Sequence, residues 1–183
     1  RSLFRIRRKT NLAWRQSSRR SYKRGQRRII MDEQSSQNGA ADAYSDEYLK
    51  QILMDVNVIA LVGASPRSDR DSYRVMQVLL EHGYTVIPVN PREAGNQILG
   101  QRCYADLASI EPAVDMVDIF RSSEAAFGVT EEAIAIGAKV VWMQLEIINH
   151  QAAALAAAAG IKVVMNRCPK IELENPYWTG RVD

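Results

Sequence analysis

Arginine, asparagine, serine and glycine residues are concentrated where runs of apolar residues end. Gly63-Ala64-Ser65 follows one apolar run, Asn90-Pro91-Arg92 follows a second, and Arg121-Ser122-Ser123 follows a third, with Gln144 after a fourth. A guanidinium group binds phosphate oxygens bidentately, and a glycine lets backbone approach a ligand closely. The pattern predicts recognition of a phosphorylated ligand, against the alternative that these are ordinary loop residues and caps.

Three more arginines, Arg67, Arg70 and Arg74, lie in or just after the loop that follows the first apolar run. Together with Arg92 and Arg121 they offer up to five guanidinium groups to one phosphorylated ligand. In a second interpretation, Arg67 and Arg70 merely form ion pairs with the aspartates at positions 69 and 71. The sequence leaves both interpretations open.

The same loops indicate which phosphorylated ligand to expect. The loop from Gly63 to Ser72 contains no second glycine, so it is not the glycine-rich fingerprint of dinucleotide-binding domains. NAD-binding domains place an acidic residue at the end of the second strand, whereas this chain has Asn90, Pro91 and Arg92. A basic residue there favours a phosphorylated ribose, as in NADP or coenzyme A.

No group of residues in the sequence is arranged for catalysis or metal binding. His82 and His150 do not follow apolar runs, and Cys103 and Cys168 lack metal-ligand spacing with them. We expect Cys168 to be an inert packed thiol. We expect no metal, no catalytic residue and reduced thiols, which are typical of a cytoplasmic protein.

The apolar runs predict the strands that position these loops. They lack polar alternation, which is typical of strands buried on both faces of a parallel sheet. The five predicted strands are 58–62, 85–89, 116–120, 139–143 and 161–165. Pro88 argues against a fully paired central position for the second strand.

Helices are predicted between these strands. Ser45 caps a helix through about Asp55, Ser122 or Ser123 caps a helix ending at Gly137, and Asn149 caps an alanine-rich helix. Ser72 is expected to cap the helix that ends at Gly83. This order predicts a Rossmann-like three-layer α/β sandwich with a mostly parallel five-stranded sheet.

The basic residues of the chain are unevenly distributed. Residues 1–31 contain 12 of the 24 lysines and arginines and no acidic residue, which leaves residues 32–183 with 12 basic and 21 acidic residues, a net charge of −9. We expect residues 1–44 to be a disordered extension, basic and then polar, and residues 45–183 to form the domain. The basic arm has three interpretations: a nucleic-acid-binding arm, a transit peptide, or, as we favour, an extension upstream of a natural start at Met31.

The apolar runs are all short. None reaches the length of about 18 uncharged apolar residues that a membrane-spanning helix needs. We therefore expect a soluble protein without a membrane partner.

Several segments resemble the bacterial CoA-binding domain family. The matching segments are Leu61-Val62-Gly63-Ala64-Ser65, Arg70, Ser72-Tyr73-Arg74-Val75-Met76, Val86-Ile87-Pro88-Val89-Asn90-Pro91, Ile98-Leu99-Gly100-Gln101, Val114-Asp115-Met116-Val117-Asp118-Ile119-Phe120-Arg121, Ala133-Ile134-Ala135-Ile136-Gly137-Ala138-Lys139, Trp142-Met143-Gln144-Leu145 and Arg167-Cys168-Pro169-Lys170-Ile171-Glu172. The resemblance covers about residues 46–174. Members of this family are small free-standing Rossmann domains, similar to the CoA-binding domain of the succinyl-CoA synthetase alpha subunit.

The resemblance implies that coenzyme A lies across the strand ends. It places the turn of Gly63, Ala64 and Ser65 near the phosphates, with Ser72 and Tyr73 nearby. It places Asn90, Pro91 and Arg92 beside the adenosine, and Phe120, Arg121 and Ser122 along the cofactor. Unlike the synthetase, this chain offers neither a second domain with a phosphorylated histidine nor a nucleotide-binding subunit. The resemblance therefore implies non-catalytic binding of coenzyme A or an acyl-CoA.

Two alternatives remain. The first is an NADP-binding oxidoreductase-like domain, since Arg92 also suits a 2′-phosphate. The second is nucleic-acid association through the basic arm.

Overall fold

The computed structural model describes residues 44–176 and residue 178. The predictions made for residues 1–43, including the basic arm and the start at Met31, lie outside the described residues. Tyr44, one residue before the predicted domain, packs against it: its ring stacks on Tyr48 with centroids 5.9 Å apart, and its hydroxyl accepts a hydrogen bond from Met165 N–H at 2.9 Å.

Helices and strands alternate along most of the described chain. The helices are α1 Asp46–Asp55, α2 Asp71–Glu81, α3 Ala126–Ala135, α4 His150–Ala158 and the short α5 Pro169–Leu173. The strands are β1 Val58–Val62, β2 Thr85–Val89, β3 Gln97–Ile98, β4 Gln101–Arg102, β5 Met116–Ile119, β6 Val140–Met143 and β7 Lys162–Val164.

The five longer strands form one parallel sheet in the order β2-β1-β5-β6-β7. Two separate apolar clusters cover its two faces: α1, α2 and α5 pack on one face, and α3 and α4 pack on the other. The predicted three-layer Rossmann-like fold with a parallel five-stranded sheet is therefore confirmed. Strand β2 is an outer strand of this sheet and pairs only with β1 in it, which explains how Pro88 is tolerated.

Two of the predicted helix caps are present. Ser45 Oγ accepts a hydrogen bond from Tyr48 N–H at 3.2 Å, and Asn149 Oδ1 accepts one from Ala152 N–H at 2.9 Å. Each bond satisfies an amide that the first turn of a helix leaves without an intrahelical acceptor.

One other predicted cap is wrong, and another lies ahead of the residue at which its helix begins. Helix α2 begins at Asp71 with Arg70 in the cap position, so Ser72 lies inside the first turn and is buried. Helix α3 begins at Ala126 instead of after Ser122 or Ser123. Ser122 nevertheless begins the turn that leads into α3: its carbonyl accepts a hydrogen bond from Ala126 N–H at 3.1 Å, and its Oγ accepts one from Ala125 N–H at 3.4 Å, as a capping serine does.

Several strands differ from the prediction in their bounds, and three short elements were not predicted. Strands β6 and β7 each begin one residue later than predicted, at Val140 and Lys162, and β5 ends at Ile119. The hairpin of β3 and β4 and the five-residue helix α5 were not predicted. Such short elements contain too few residues to show a periodic pattern.

Candidate functional site

A cleft of about 550 Å³ lies at the carboxyl ends of β1, β2 and β5. The strand order places β1 between β2 and β5, so the chain leaves β1 in one direction across the sheet and later continues in the other. Ligands of open α/β sheets bind at such a reversal. The cleft is lined by Gly63, Asn90, Pro91, Arg92, Phe120, Arg121 and Ser122.

Two exposed arginines give the cleft its charge. Arg92 follows β2 and Arg121 follows β5, and both line the cleft. Within residues 44–176, neither forms an ion pair with a carboxylate. Both guanidinium groups therefore remain available to an anionic ligand, for which their planar, bidentate geometry is suited.

The predicted cluster of five arginines is not formed. The Arg67 guanidinium lies 2.6 Å from the Asp69 carboxylate, and the Arg74 guanidinium lies 3.6 Å from that of Asp71. Arg67, Arg70 and Arg74 do not line the cleft. The ion-pair interpretation is thus correct for Arg67, although Arg74 instead of Arg70 pairs with Asp71.

Gly63 allows the end of β1 to approach the end of β5. Its φ is +94°, and a Cβ atom built on it would lie 2.8 Å from the carbonyl oxygen of Phe120. A side chain at position 63 would therefore meet backbone that cannot easily move. The absence of a side chain keeps the floor of the cleft open where β1 and β5 meet.

The backbone amides of this turn are already used by the fold. Gly63 N–H and Ala64 N–H both donate to Val89 O, at 2.9 and 3.3 Å. These two amides are therefore not free to bind a phosphate. Ser65 Oγ accepts a hydrogen bond from Arg67 N–H at 3.3 Å and shapes the following loop.

Four predicted site residues lie away from the lining of the cleft. Ala64 is buried under the β1 turn and Ser72 is buried in α2. Tyr73 packs against the apolar cluster on that face of the sheet, and Ser65 lies in the loop beyond the turn. The other seven predicted residues line the cleft.

Asn90 connects two turns of the cleft. Its Nδ2 donates to Ala64 O at 2.7 Å, and its Oδ1 accepts from Arg92 N–H at 3.0 Å. Its backbone N–H donates to Tyr104 O at 2.9 Å, and Tyr104 follows the unpredicted hairpin. The sequence predicted Asn90 as a site residue without indicating these internal bonds.

A buried carboxylate lies in the strand beside this site. Asp118 in β5 is 0% exposed, and both of its carboxylate oxygens accept hydrogen bonds from Gln144 Nε2, at 2.9 and 3.1 Å. Burial raises the pKa of Asp118 to about 7, although the bond from Gln144 opposes the shift. Gln144 therefore faces inward to Asp118 and does not line the cleft.

The cysteines and His82 are part of the packed structure. Burial raises the pKa of the Cys168 thiol and that of Cys103, which keeps both thiols in the poorly nucleophilic protonated form. Nδ1 of His82 lies 2.9 Å from Val78 O at the end of α2.

Among residues 44–176, no group of three or more metal-ligating side chains is suited to a metal ion. No helix in the same range has the length and apolar character needed to cross a membrane.

Comparisons with known proteins agree with this architecture. A family model described as a CoA binding domain matches residues 57–174. The uncharacterized protein YneT of Bacillus subtilis is 37% identical over 123 residues, which cover 67% of this chain and 90% of that protein.

Two solved structures are also similar. A hypothetical protein from Pyrococcus horikoshii OT3 is 43% identical with a TM-score of 0.68, over 73% of this chain and 92% of that one. A protein from Thermus thermophilus is 33% identical with a TM-score of 0.68, over 72% of this chain and 98% of that one.

Proposed function

The chain belongs to the CoA binding domain family, and from this premise we propose that it binds coenzyme A or an acyl-CoA in the cleft at the carboxyl ends of β1, β2 and β5. The observation that carries the proposal is the presence of two arginines, Arg92 and Arg121, that line one cleft without a carboxylate partner among residues 44–176. Phosphates are the groups that such guanidiniums bind best.

The residues present fit the phosphorylated end of coenzyme A. Gly63 leaves the floor of the cleft free of a side chain, and Arg92 and Arg121 place positive charge on its rim. Coenzyme A supplies a 3′-phosphate, a pyrophosphate and an adenine at this end, and a thiol at the other. In the proposed complex Arg92 holds the 3′-phosphate, Arg121 and Ser122 bind the cofactor farther along, and Pro91 and Phe120 contribute apolar surface.

We propose that binding proceeds without catalysis. The seven lining residues include no carboxylate, imidazole or thiol, and the hydroxyl of Ser122 is bonded to Glu124, whose pKa is lowered by its hydrogen bonds and which is therefore a poor general base. Asp118 and Cys168 are both buried in the packed interior. The role of the domain, which we place from residue 45 onward, is then to hold the cofactor.

Isothermal titration with coenzyme A, dephospho-CoA and NADPH tests the proposal. We expect coenzyme A to bind more tightly than dephospho-CoA, because only coenzyme A carries the 3′-phosphate that Arg92 recognises. NADPH is the control for a phosphorylated ribose on a different carrier. Tighter binding of NADPH than of coenzyme A would favour the oxidoreductase-like alternative, and absence of coenzyme A binding would contradict the proposal.

A further inference from the structure

We propose that Asn90 is a positioning residue that holds Arg92 in place and thereby sets the preference of the site for a phosphorylated ribose. This inference rests on the proposed binding of coenzyme A, and it assigns Asn90 a role other than direct ligand contact. Both polar atoms of its side-chain amide form hydrogen bonds with backbone groups of this chain.

The first bond orders the turn that carries Arg92. Asn90 Oδ1 accepts a hydrogen bond from Arg92 N–H at 3.0 Å, and Asn90 O accepts one from Glu93 N–H at 3.0 Å. Pro91 between them has a fixed φ. An asparagine that bonds the amide two residues later stabilises such a turn, so the backbone from which the Arg92 side chain projects is held in one conformation.

The second bond joins this turn to the floor of the cleft. Asn90 Nδ2 donates to Ala64 O at 2.7 Å, next to Gly63 at the end of β1. The two turns are also connected by the bonds from Gly63 N–H and Ala64 N–H to Val89 O. Asn90 thus fixes the position of the Arg92 backbone relative to Gly63, which lines the same cleft.

The side chain of asparagine is suited to this connection. Its planar amide carries a donor and an acceptor, so it bonds a carbonyl and an N–H group simultaneously. Alanine removes both bonds, and aspartate lacks the donor for Ala64 O. Arg92 itself is exposed and has no carboxylate partner among residues 44–176 that would hold its guanidinium in place.

A double-mutant cycle tests this role. Titration gives the ratio of the dissociation constant of dephospho-CoA to that of coenzyme A for the wild type, Asn90→Ala, Arg92→Ala and the double variant. We expect a wild-type ratio of about 10 to 100, because Arg92 forms a charged hydrogen bond with the 3′-phosphate, and a ratio near one for Arg92→Ala. Asn90→Ala is expected to lower the ratio at least about threefold in the wild-type background and not at all in the Arg92→Ala background.

The matched control is Asn96→Ala, since Asn96 Nδ2 also bonds within this segment, to Glu93 Oε2 at 3.3 Å. We expect its ratio to equal that of the wild type. If Asn90→Ala does not fold, Asn90→Leu replaces it in the same cycle, because leucine is close in size to asparagine and has neither a hydrogen-bonding atom nor a charge.

Each remaining outcome overturns a stated part of the account. Equal weakening of both ligands by Asn90→Ala would overturn the positioning role, since a ligand contact or a general structural role has that result. A wild-type ratio near one would also overturn it, while leaving the proposed binding of coenzyme A intact. Failure of the wild type to bind coenzyme A at all would overturn both.

Discussion

Basic residues at the two edges of the parallel sheet differ in their partners. At the amino edge, where the strands begin, Lys139 Nζ lies 2.8 Å from the Asp115 carboxylate and Lys162 Nζ lies 3.5 Å from that of Asp55. At the carboxyl edge, where the strands end, Arg92 and Arg121 have no such partner within residues 44–176. These two lysines are therefore neutralised by the chain, whereas the two arginines have no carboxylate partner among the described residues.

The crevices at the two edges also differ in the polarity of the residues that line them. A crevice of about 430 Å³ at the amino edge is lined largely by aliphatic side chains, such as Ile52 and Ile161, beside the paired lysines. The cleft of about 550 Å³ at the carboxyl edge is lined largely by polar groups. The comparison separates the two clefts by charge: the carboxyl-edge cleft combines unpaired cations with a polar lining, and for this reason we propose it, and not the amino-edge crevice, as the anion site.

The largest expected effect concerns the stability contributed by Asp118, which lies in β5 beside the cleft. Because the folded pKa of Asp118 is about 7 and its ordinary value is 3.8, its stabilising contribution is complete below about pH 4 and is lost as the pH rises to 7. At about 1.4 kcal/mol per pH unit, the loss amounts to about 4 kcal/mol.

The substitution Asp118→Asn isolates this effect, because an asparagine side chain carries no charge at any pH. We expect Asp118→Asn to be more stable than the wild type at pH 8 and to lack the fall in stability between pH 5 and pH 8. Urea unfolding at these two pH values measures the difference. Parallel pH profiles for the two proteins would contradict the expectation.

Removal of two charges at each edge tests the comparison directly. We expect Arg92→Ala combined with Arg121→Ala to weaken coenzyme A binding by about 3 kcal/mol, or roughly a hundredfold, because each charged hydrogen bond contributes about 1.5 kcal/mol or more. Lys139→Ala combined with Lys162→Ala should change the affinity less than about twofold, since these lysines already have carboxylate partners. Equal losses of coenzyme A affinity in the two double variants, measured by titration, would contradict the expected difference between the edges.

Two glycines with positive φ extend the comparison to the backbone. A Cβ atom at Gly63 would lie 2.8 Å from Phe120 O, whereas one at Gly160 would meet nothing within 4 Å. Both glycines have a left-handed backbone conformation, which destabilises an alanine at the same position by about 1 kcal/mol. We expect Gly63→Ala to lower the free energy of unfolding by about 2 to 3 kcal/mol in total and Gly160→Ala by about 1 kcal/mol. Equal destabilisation in thermal unfolding would show that the approach of β1 to β5 is not tight.

The smallest expected effect concerns Asp115 at the amino edge. Desolvation raises the pKa of Asp115, but the hydrogen bonds donated by Lys139, Val58 and Asn57 outweigh it and lower the pKa below its ordinary value. The stabilising contribution of this carboxylate is therefore present near neutral pH and is lost as the pH falls through the lowered pKa. We expect Asp115→Asn to lower the free energy of unfolding by about 1 kcal/mol at pH 7 and to leave coenzyme A affinity unchanged. A weakened affinity in titration would contradict the separation of the two edges.

The parallel sheet was predictable because its strands are buried on both faces and so read as apolar runs. The position of the cleft followed, since the carboxyl ends of parallel strands meet at one edge. The hairpin of β3 and β4 was not predictable, because two-residue strands have no pattern. Its neighbour Tyr104 nevertheless holds Asn90 in place.

The partners of individual side chains were the least predictable feature. Arg67 and Arg70 are both near acidic residues in the sequence, and only the loop conformation decides that Arg67 forms the close ion pair. Gln144 follows β6 and was expected at the cleft, but it continues the alternation of the strand and turns toward Asp118. The position of Asp118 within an apolar strand was the available signal that a polar partner must also face inward.

The central claim is that the ligand binds at the carboxyl edge of the sheet. Amide NMR spectra recorded during a titration with coenzyme A test it most directly. We predict that the amide signals of Gly63, Asn90, Arg92, Arg121 and Ser122 shift with ligand concentration while those of Lys139, Gly160 and Lys162 remain unchanged. Shifts concentrated at Lys139, Gly160 and Lys162, or no shifts at saturating coenzyme A, would contradict the account.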